Sequence, residues 1–148
     1  MRYPLILGAV LASVVLALAG CPGAGTGVTV TGTISGDYVD IAGDVTMTIA
    51  QGGSSYTATI SLVGNSYQVG SFLVADVPPG TYEITVEFEA DIGSLYLAEY
   101  QVNDGGWLDI GDVTRTGDVS PYSFTVIIDS VSVTSDTVID LAFSDNVG

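Results

Sequence analysis

The sequence predicts an all-β fold, a single antiparallel β-sandwich of about seven to nine strands, behind an N-terminal signal segment. Apolar residues recur at every second position along most of the chain, which is the period of strands with one buried and one solvated face. Glycine, asparagine and proline interrupt these runs at short intervals, as tight turns require. Because no window of a dozen residues after the signal combines helical spacing with capping residues, we expect almost no helix there.

Residues 1–20 are expected to be a signal segment. Arg2 supplies the positive start, residues 5–18 form an apolar core, and small residues follow it, which is the three-part layout of a secretory signal. The apolar core is shorter than the roughly 20 residues that a membrane-spanning helix requires. A permanent membrane span is therefore the weaker interpretation.

The chain's only cysteine, Cys21, comes directly after this segment. With Leu18, Ala19 and Gly20 before it, it resembles the lipobox of bacterial lipoproteins. The resemblance implies that the thiol takes a diacylglyceryl group, that the signal is cut just before Cys21, and that the new terminus is acylated. One acyl chain holds a protein only marginally, whereas two or three attach it durably. The alternative is a chance cysteine in an ordinary signal peptide, which would leave a free thiol.

Residues 21–27 then form a lipidated tether, since Gly, Ala and Thr make a flexible linker. Residues 28–148 form the sandwich domain, which is long enough for one core. In enteric lipoproteins an aspartate after the cysteine signals retention at the inner membrane, and Pro22 stands there instead. The resemblance therefore implies a lipid-anchored, extracytoplasmic protein of the cell envelope, at the outer membrane if the organism has one.

The strands of the domain are predicted from four alternating runs. Their apolar members are Val28, Val30 and Ile34, then Val45, Met47 and Ile49, then Tyr56, Ala58, Ile60 and Leu62, then Tyr82, Ile84, Val86 and Phe88. Turns are expected at residues 51–54, 64–65, 78–80 and 103–106, where Gly, Asn and Pro cluster. We expect hairpins to make most of the connections between strands.

Three carboxylates, Glu83, Glu87 and Glu89, share the outward face of the last of these runs. Neighbours two residues apart on a strand are separated by about 7 Å, so an acid/base pair is conceivable. Nothing in the sequence desolvates one of them relative to the others, and such asymmetry is what separates the roles of an acid and a base. The favoured interpretation is a solvated face.

Three segments resemble the carboxypeptidase regulatory-like domains and the related Cna B-type repeats, which have a prealbumin-like (transthyretin-like) sandwich of about seven strands. They are SYQVGSFLVADVPPGTYEITVEF at 66–88, VTVTGTISG at 28–36 and VSVTSDTVIDLAF at 131–143. Members of these families act as accessory, adhesive or spacer modules.

The chain departs from these families in two ways. Without lysine it cannot form the Lys–Asn isopeptide bond of some Cna B-type domains, and residues 90–123 form an unusually long segment. Any specific function is expected in that segment.

Composition excludes several classes of function. Seventeen acidic residues face a single base after the signal, Arg115, so the surface repels nucleic acid and anionic headgroups. The chain has neither histidine nor lysine, and its one cysteine is assigned to lipid. Ser-His-Asp and Cys-His nucleophiles, imidazole or thiolate zinc sites and disulfides therefore cannot be built. We expect a protein that is not an enzyme and has no resident cofactor.

NDGGWLDIGD offers one candidate calcium site, since Asn103, Asp104, Asp109 and Asp112 lie close in sequence among glycines. Calcium takes six to eight oxygen ligands, but the spacing does not match the EF-hand loop. The favoured alternative is a hairpin turn at Asn103 and Asp104, with Asp109 and Asp112 as charges on a strand edge. A second acidic loop holds Asp37, Asp40 and Asp44, which we expect to be solubilising residues unless the fold brings them near Asp109.

An aromatic platform for sugar rings or a partner peptide is the other candidate, formed by Trp107, Tyr96 and Tyr100. Aromatic side chains supply large contact area at low entropic cost. Packing of Trp107 at the edge of the core is the favoured alternative.

The function expected from these observations is that of a membrane-anchored binding, adhesive or structural accessory module with a protein or glycan partner. The alternatives are a calcium-stabilised structural spacer and, least favoured, a glycan hydrolase that uses carboxylates alone. The hydrolase would require a concave pocket with two facing acids about 5–10 Å apart.

Overall fold

A computed structural model describes residues 27–145, in which the all-β sandwich is confirmed. The predicted signal segment, the lipobox with Cys21 and the tether up to residue 26 lie outside the described residues, as do residues 146–148. The described part contains strands and turns and no helix. The strands are β1 (Val28–Asp37), β2 (Ile41–Gln51), β3 (Ser54–Ile60), β4 (Val63–Gly64), β5 (Tyr67–Val77), β6 (Gly80–Ala90), β7 (Leu97–Val102), β8 (Leu108–Asp109), β9 (Asp112–Thr116), β10 (Tyr122–Val133) and β11 (Thr137–Ser144).

Eleven strands exceed the seven to nine expected, because β4 and β8 are two-residue strands that no sequence period can reveal. The eleven strands form two sheets. Sheet A has six strands, in the order β4-β5-β1-β11-β7-β8, and sheet B has five, in the order β3-β2-β6-β10-β9. Neighbouring strands are antiparallel with one exception among the described pairs: β1 and β11 are parallel. The first and last strands thus lie side by side in the middle of sheet A.

The expectation that hairpins make most connections is wrong. Four of the ten connections between described strands are hairpins, at β2–β3, β4–β5, β7–β8 and β9–β10, and the other six cross from one sheet to the other. The turn at Pro78-Pro79-Gly80 is an example, since it leads from β5 in sheet A to β6 in sheet B. Turn residues show where a chain changes direction, but the partner of the next strand depends on distant residues.

The predicted faces of the strands are confirmed. In β6, Tyr82, Ile84, Val86 and Phe88 are buried, while the three glutamates of this strand are exposed. Inside the core the ring of Phe88 stacks on Phe124 at 5.4 Å between centroids and tilts against Phe143 at 5.1 Å. These contacts join β6 and β10 of sheet B to β11 of sheet A, so the two sheets share one core.

The turn at residues 51–54 is confirmed as a two-residue hairpin. Gln51 pairs with Ser54 across β2 and β3, which leaves Gly52 and Gly53 as the loop. Gly52 has a φ of 56°, a value that glycine adopts without steric cost.

Close approach of β1 to β11 depends on Gly32. A Cβ atom at this position would lie 1.6 Å from the carbonyl oxygen of Ile139 and 2.8 Å from the ring of Phe72. Such distances are far inside van der Waals contact, so no other residue fits without moving one of the strands.

Two carboxylates of the β11 region also bind the backbone of β1. The N–H of Thr29 donates to Asp136 at 2.9 Å. The N–H and the hydroxyl of Thr33 both donate to one oxygen of Asp140, at 3.0 and 2.9 Å, and the side chain of Gln101 donates to the other at 3.3 Å. Asp140 therefore connects β1, β11 and β7.

The crossing from β5 to β6 is held by Tyr82. Its ring is 2% exposed, and its hydroxyl donates to the carbonyl oxygen of Pro78 at 2.5 Å. A tyrosine bonded to the backbone a few residues upstream is the arrangement known in sandwich domains as a tyrosine corner. Burial raises the pKa of Tyr82, and the neighbouring Tyr56 adds to the increase.

We expect Gly32→Ala to lower the free energy of unfolding by at least the ~1–3 kcal/mol typical of overpacking, because its methyl group would separate β1 from β11. Gly53→Ala is the control, since nothing lies within 4 Å of a Cβ atom there; we expect a change within about 0.5 kcal/mol. Urea denaturation followed by tryptophan fluorescence measures both. An unchanged midpoint in Gly32→Ala would contradict this account of the β1–β11 contact.

We expect the stability of the fold to decrease at alkaline pH through Tyr82. Since its pKa is raised in the folded state, the folded protein holds the phenol proton more tightly than the unfolded chain. The resulting contribution of Tyr82 to the free energy of unfolding is complete below the ordinary tyrosine pKa of about 10. It is lost as pH rises through the raised pKa of Tyr82 in the folded protein. Urea denaturation at stepped alkaline pH should show a smaller decrease in Tyr82→Phe than in the parent. The exposed Tyr67→Phe is the control and should follow the parent.

Candidate functional site

The long segment from Ala90 to Ser123 supplies edge strands to both sheets. Its β7 and β8 complete one side of sheet A, and its β9 completes one side of sheet B. The segment is therefore part of the sandwich and also carries all the residues of the predicted aromatic platform.

The three residues of that platform do not come together. Tyr100 is half-buried and packs against the core, whereas Trp107 is 46% exposed and precedes β8. Tyr96 is 69% exposed and precedes β7. Because Tyr100 pairs with Leu108, Trp107 lies near the far end of β7, about 17 Å along the strand from Tyr96. One ligand ring cannot contact all three side chains.

Asn103 and Asp104 occupy the turn between β7 and β8, as the favoured alternative predicts. Both have positive φ values, 50° and 56°, and the N–H of Gly105 donates to the carbonyl of Val102 at 2.9 Å, which defines a type I′ turn. The side-chain oxygen of Asn103 accepts the N–H of Val138 at 2.8 Å. This hydrogen bond links the turn to β11, so the oxygen already has a donor.

Asp109 and Asp112 lie on strands of different sheets. Both are exposed and line an open depression of about 280 Å³ with Tyr100 and Asp129. Within residues 27–145, no group of three or more acidic, histidine or cysteine side chains is placed to hold a metal ion. The structure thus gives the calcium hypothesis no ligand cluster among the described residues.

The second acidic loop is also spread out. Asp37 ends β1, Asp40 lies in the following loop, and Asp44 belongs to β2, where it accepts the hydroxyl of Ser61 at 2.8 Å. Asp44 shares an open depression of about 370 Å³ with Glu87 and Glu89 on the outer face of sheet B. All three carboxylates are exposed, so this depression lacks the desolvated acid that a glycosidase needs.

A different set of aromatic residues lies at the end of sheet A where β1 ends. Three tyrosines, Tyr38, Tyr67 and Tyr96, are 52%, 58% and 69% exposed, and we call them the tyrosine rim. The sequence suggested only Tyr96 as a binding residue. The rim spans four adjacent strands of sheet A, β5, β1, β11 and β7.

Backbone contacts bring the rim together. Tyr67 pairs with Asp37, and the N–H of Tyr38 donates to the carbonyl of Ser66 at 2.6 Å. On the other side Asp37 pairs with Ser144, whose carbonyl accepts the N–H of Tyr96 at 2.9 Å. Three strand spacings separate β5 from β7, which is about 14 Å across the sheet. A depression of about 370 Å³ opens beside Tyr38 and Asp40.

The loop that carries Tyr38 is held from inside the protein. Val39 is fully buried, and both of its neighbours take positive φ values, 56° at Tyr38 and 54° at Asp40. Non-glycine residues in this region cost on the order of 1 kcal/mol or more each, and they persist where the surrounding structure requires them. Here the burial of Val39 requires the positive φ values of Tyr38 and Asp40.

A buried glutamine fixes the same loop. Gln68, on β5, is 9% exposed; its side-chain oxygen accepts the N–H of Ile41 at 2.8 Å and its amide donates to the carbonyl of Ile41 at 3.1 Å. Since Ile41 begins β2, this pair of hydrogen bonds ties sheet A to sheet B beside the rim. The rim is therefore presented on a rigid support, which reduces the entropy lost on binding.

The rim can contact a partner in two ways. Tyrosine rings stack on sugar or apolar surfaces with few rotatable bonds, and their hydroxyls exchange hydrogen bonds with polar groups. Asp37 and Asp40 add exposed carboxylates. No local pattern in the sequence indicates this arrangement, because the three tyrosines are far apart in the chain and reach the same end of sheet A only through strand pairing.

The chain matches no family model, no curated protein and no solved structure. Among residues 27–145 there is no helix with the length and apolar character needed to cross a membrane.

Proposed function

We propose that the protein is a bacterial lipoprotein, anchored through acylated Cys21 outside the cytoplasm, whose β-sandwich is a non-catalytic binding or structural accessory module. Leu18, Ala19, Gly20 and Cys21 support the anchor, because this order of residues is that of a lipobox. The lack of histidine and lysine supports a function without catalysis.

The observation that carries the proposal is the placement of the rim relative to the start of the domain. β1 begins directly after the tether, beside Val77, and its tenth and last residue lies beside Tyr67. Ten residues of strand span about 30 Å. A chain anchored before β1 would therefore hold the tyrosine rim at the end of the sandwich away from the anchor, where a protein or glycan partner can reach it.

We expect Cys21→Ser to abolish lipid attachment, because serine offers no thiol for the lipid. In cells expressing the parent chain, the protein should sediment with the membrane fraction and its first residue should be an acylated Cys21 by mass spectrometry. Cys21→Ser should retain the signal segment or appear unacylated in the aqueous fraction. Thr26→Ser, a control change in the tether, should behave like the parent. An unacylated parent chain with its leader cut elsewhere would refute the anchor.

A thermal-shift screen against divalent ions and cell-envelope glycans distinguishes the binding module from the calcium-stabilised spacer. We expect calcium to leave the melting temperature unchanged, because the described residues hold no ligand cluster. A glycan that raises the melting temperature should lose its effect in Tyr67→Ala and Tyr96→Ala, with Trp107→Ala as the aromatic control. A calcium-dependent increase that Asp109→Ala and Asp112→Ala remove would instead establish the spacer.

A further inference from the structure

The outer strands of the two sheets differ in how well their free edges are protected. Among the described strands these are β4 and β8 in sheet A and β3 and β9 in sheet B. β4 and β8 are two residues long, and β9 carries Asp112 and Arg115. Short length and charge are the usual means of preventing a sheet edge from pairing with another chain.

β3 has none of this protection. Its seven residues, SSYTATI, include no charge and no proline, and its register with β2 is continuous without a bulge. Four of its side chains, Ser54, Ser55, Thr57 and Thr59, are exposed. Among the four outermost strands of the two described sheets, it alone is both long and uncharged.

The hairpin geometry shows which backbone groups of β3 are free. In a two-residue hairpin the residues that close the turn, here Gln51 and Ser54, exchange both hydrogen bonds, and such pairs then alternate along the ladder. The N–H and C=O groups of Ser55, Thr57 and Thr59 therefore point away from β2. Within residues 27–145 the backbone of residues 55–59 makes no hydrogen bond outside the β2–β3 ladder.

Within sheet B, the side chains next to this edge are uncharged along most of its length. The residues of β2 opposite Thr57 and Thr59 are Thr48 and Thr46. The glutamates of β6 lie one strand further, about 10 Å from β3, which is close to the Debye length at physiological salt. Asp44 lies beyond the last β2–β3 pair, at the end of β3. On the sheet B side, a second acidic chain can therefore pair with β3 without placing carboxylates directly against carboxylates.

We propose that β3 pairs antiparallel with β3 of a second copy, so that the protein forms a two-fold symmetric dimer with a continuous ten-stranded sheet. Centred on Thr57, this register places Thr57 opposite its own counterpart, Ser55 opposite Thr59 and Tyr56 opposite Ala58. Cross-strand Ser and Thr pairs hydrogen-bond, and Tyr56 and Ala58 continue the inner layer.

The geometry also sets the size and strength of the assembly. Both copies use the same edge, so the contact is isologous and association through it stops at two. One seven-residue strand buries less than the ~1,200 Å² of a stable complex, so the dimer is weak and concentration-dependent. The large negative charge of each copy opposes pairing, and added salt screens that repulsion.

Sedimentation velocity over a concentration series tests the proposal on the chain from Pro22 onward, since residues 30–143 contain the complete described core. We expect a shift from monomer to dimer as concentration rises, and a stronger shift on adding sodium chloride. Thr57→Lys should weaken association at least tenfold. Thr57→Val, which keeps the β-branched shape but lacks the hydroxyl, should weaken association much less than Thr57→Lys. Thr114→Lys, which places the same charge on the edge strand β9, is the control and should leave association unchanged. Melting temperatures equal to the parent's show that the variants fold.

Three outcomes would overturn the proposal. A parent chain that stays monomeric up to millimolar concentration excludes the dimer. Equal effects of Thr57→Lys and Thr114→Lys place any dimer contact elsewhere. A parent chain that stays monomeric yet binds a synthetic β-strand peptide, with Thr57→Lys losing that binding, identifies the occupant of the edge as another protein.

Discussion

Sheet A depends on the pairing of β1 with β11. These strands lie at its centre: β5 and β4 join the sheet only through β1, and β7 and β8 join it only through β11. If the pair separated, sheet A would divide into two three-stranded groups, each with one strand of only two residues. Gly32, which permits the close approach, lies at this contact. The carboxylates of Asp136 and Asp140 lie there too and accept hydrogen bonds from the backbone of β1.

The same contact positions the candidate binding surface. Tyr67 and Tyr38 come from the β5–β1 side of the pair, and Tyr96 comes from the β7 side, so the tyrosine rim exists only while β1 and β11 are joined. The buried Gln68 then ties the rim to sheet B through the backbone of Ile41. Stability of the fold and presentation of the rim therefore have a common origin.

The outer face of sheet B has a different character. Strand register places Thr59, Thr46, Glu87, Thr125 and Thr114 in one row across all five strands. Hydroxyls and carboxylates on such a face are solvated, which fits the strongly acidic composition and leaves this face without an apolar patch. In the proposed dimer, sheet B pairs through its edge, where N–H and C=O groups of β3 are free. The outer-face side chains of its other strands take no part.

The sequence by itself determined the class of fold and the direction in which most side chains point. Val45, Met47 and Ile49 are buried as their alternation predicts, and the turn at residues 51–54 forms where glycines cluster, because side-chain period and turn conformation are local properties. The lipobox is likewise local, and its interpretation rests on sequence alone. Only the tertiary structure decided that β1 pairs with β11 across 107 residues, that six connections cross between the sheets, and that three distant tyrosines form a rim. The partner of a strand is chosen by loop closure and by packing of the whole core, and neither is contained in any short stretch of the chain.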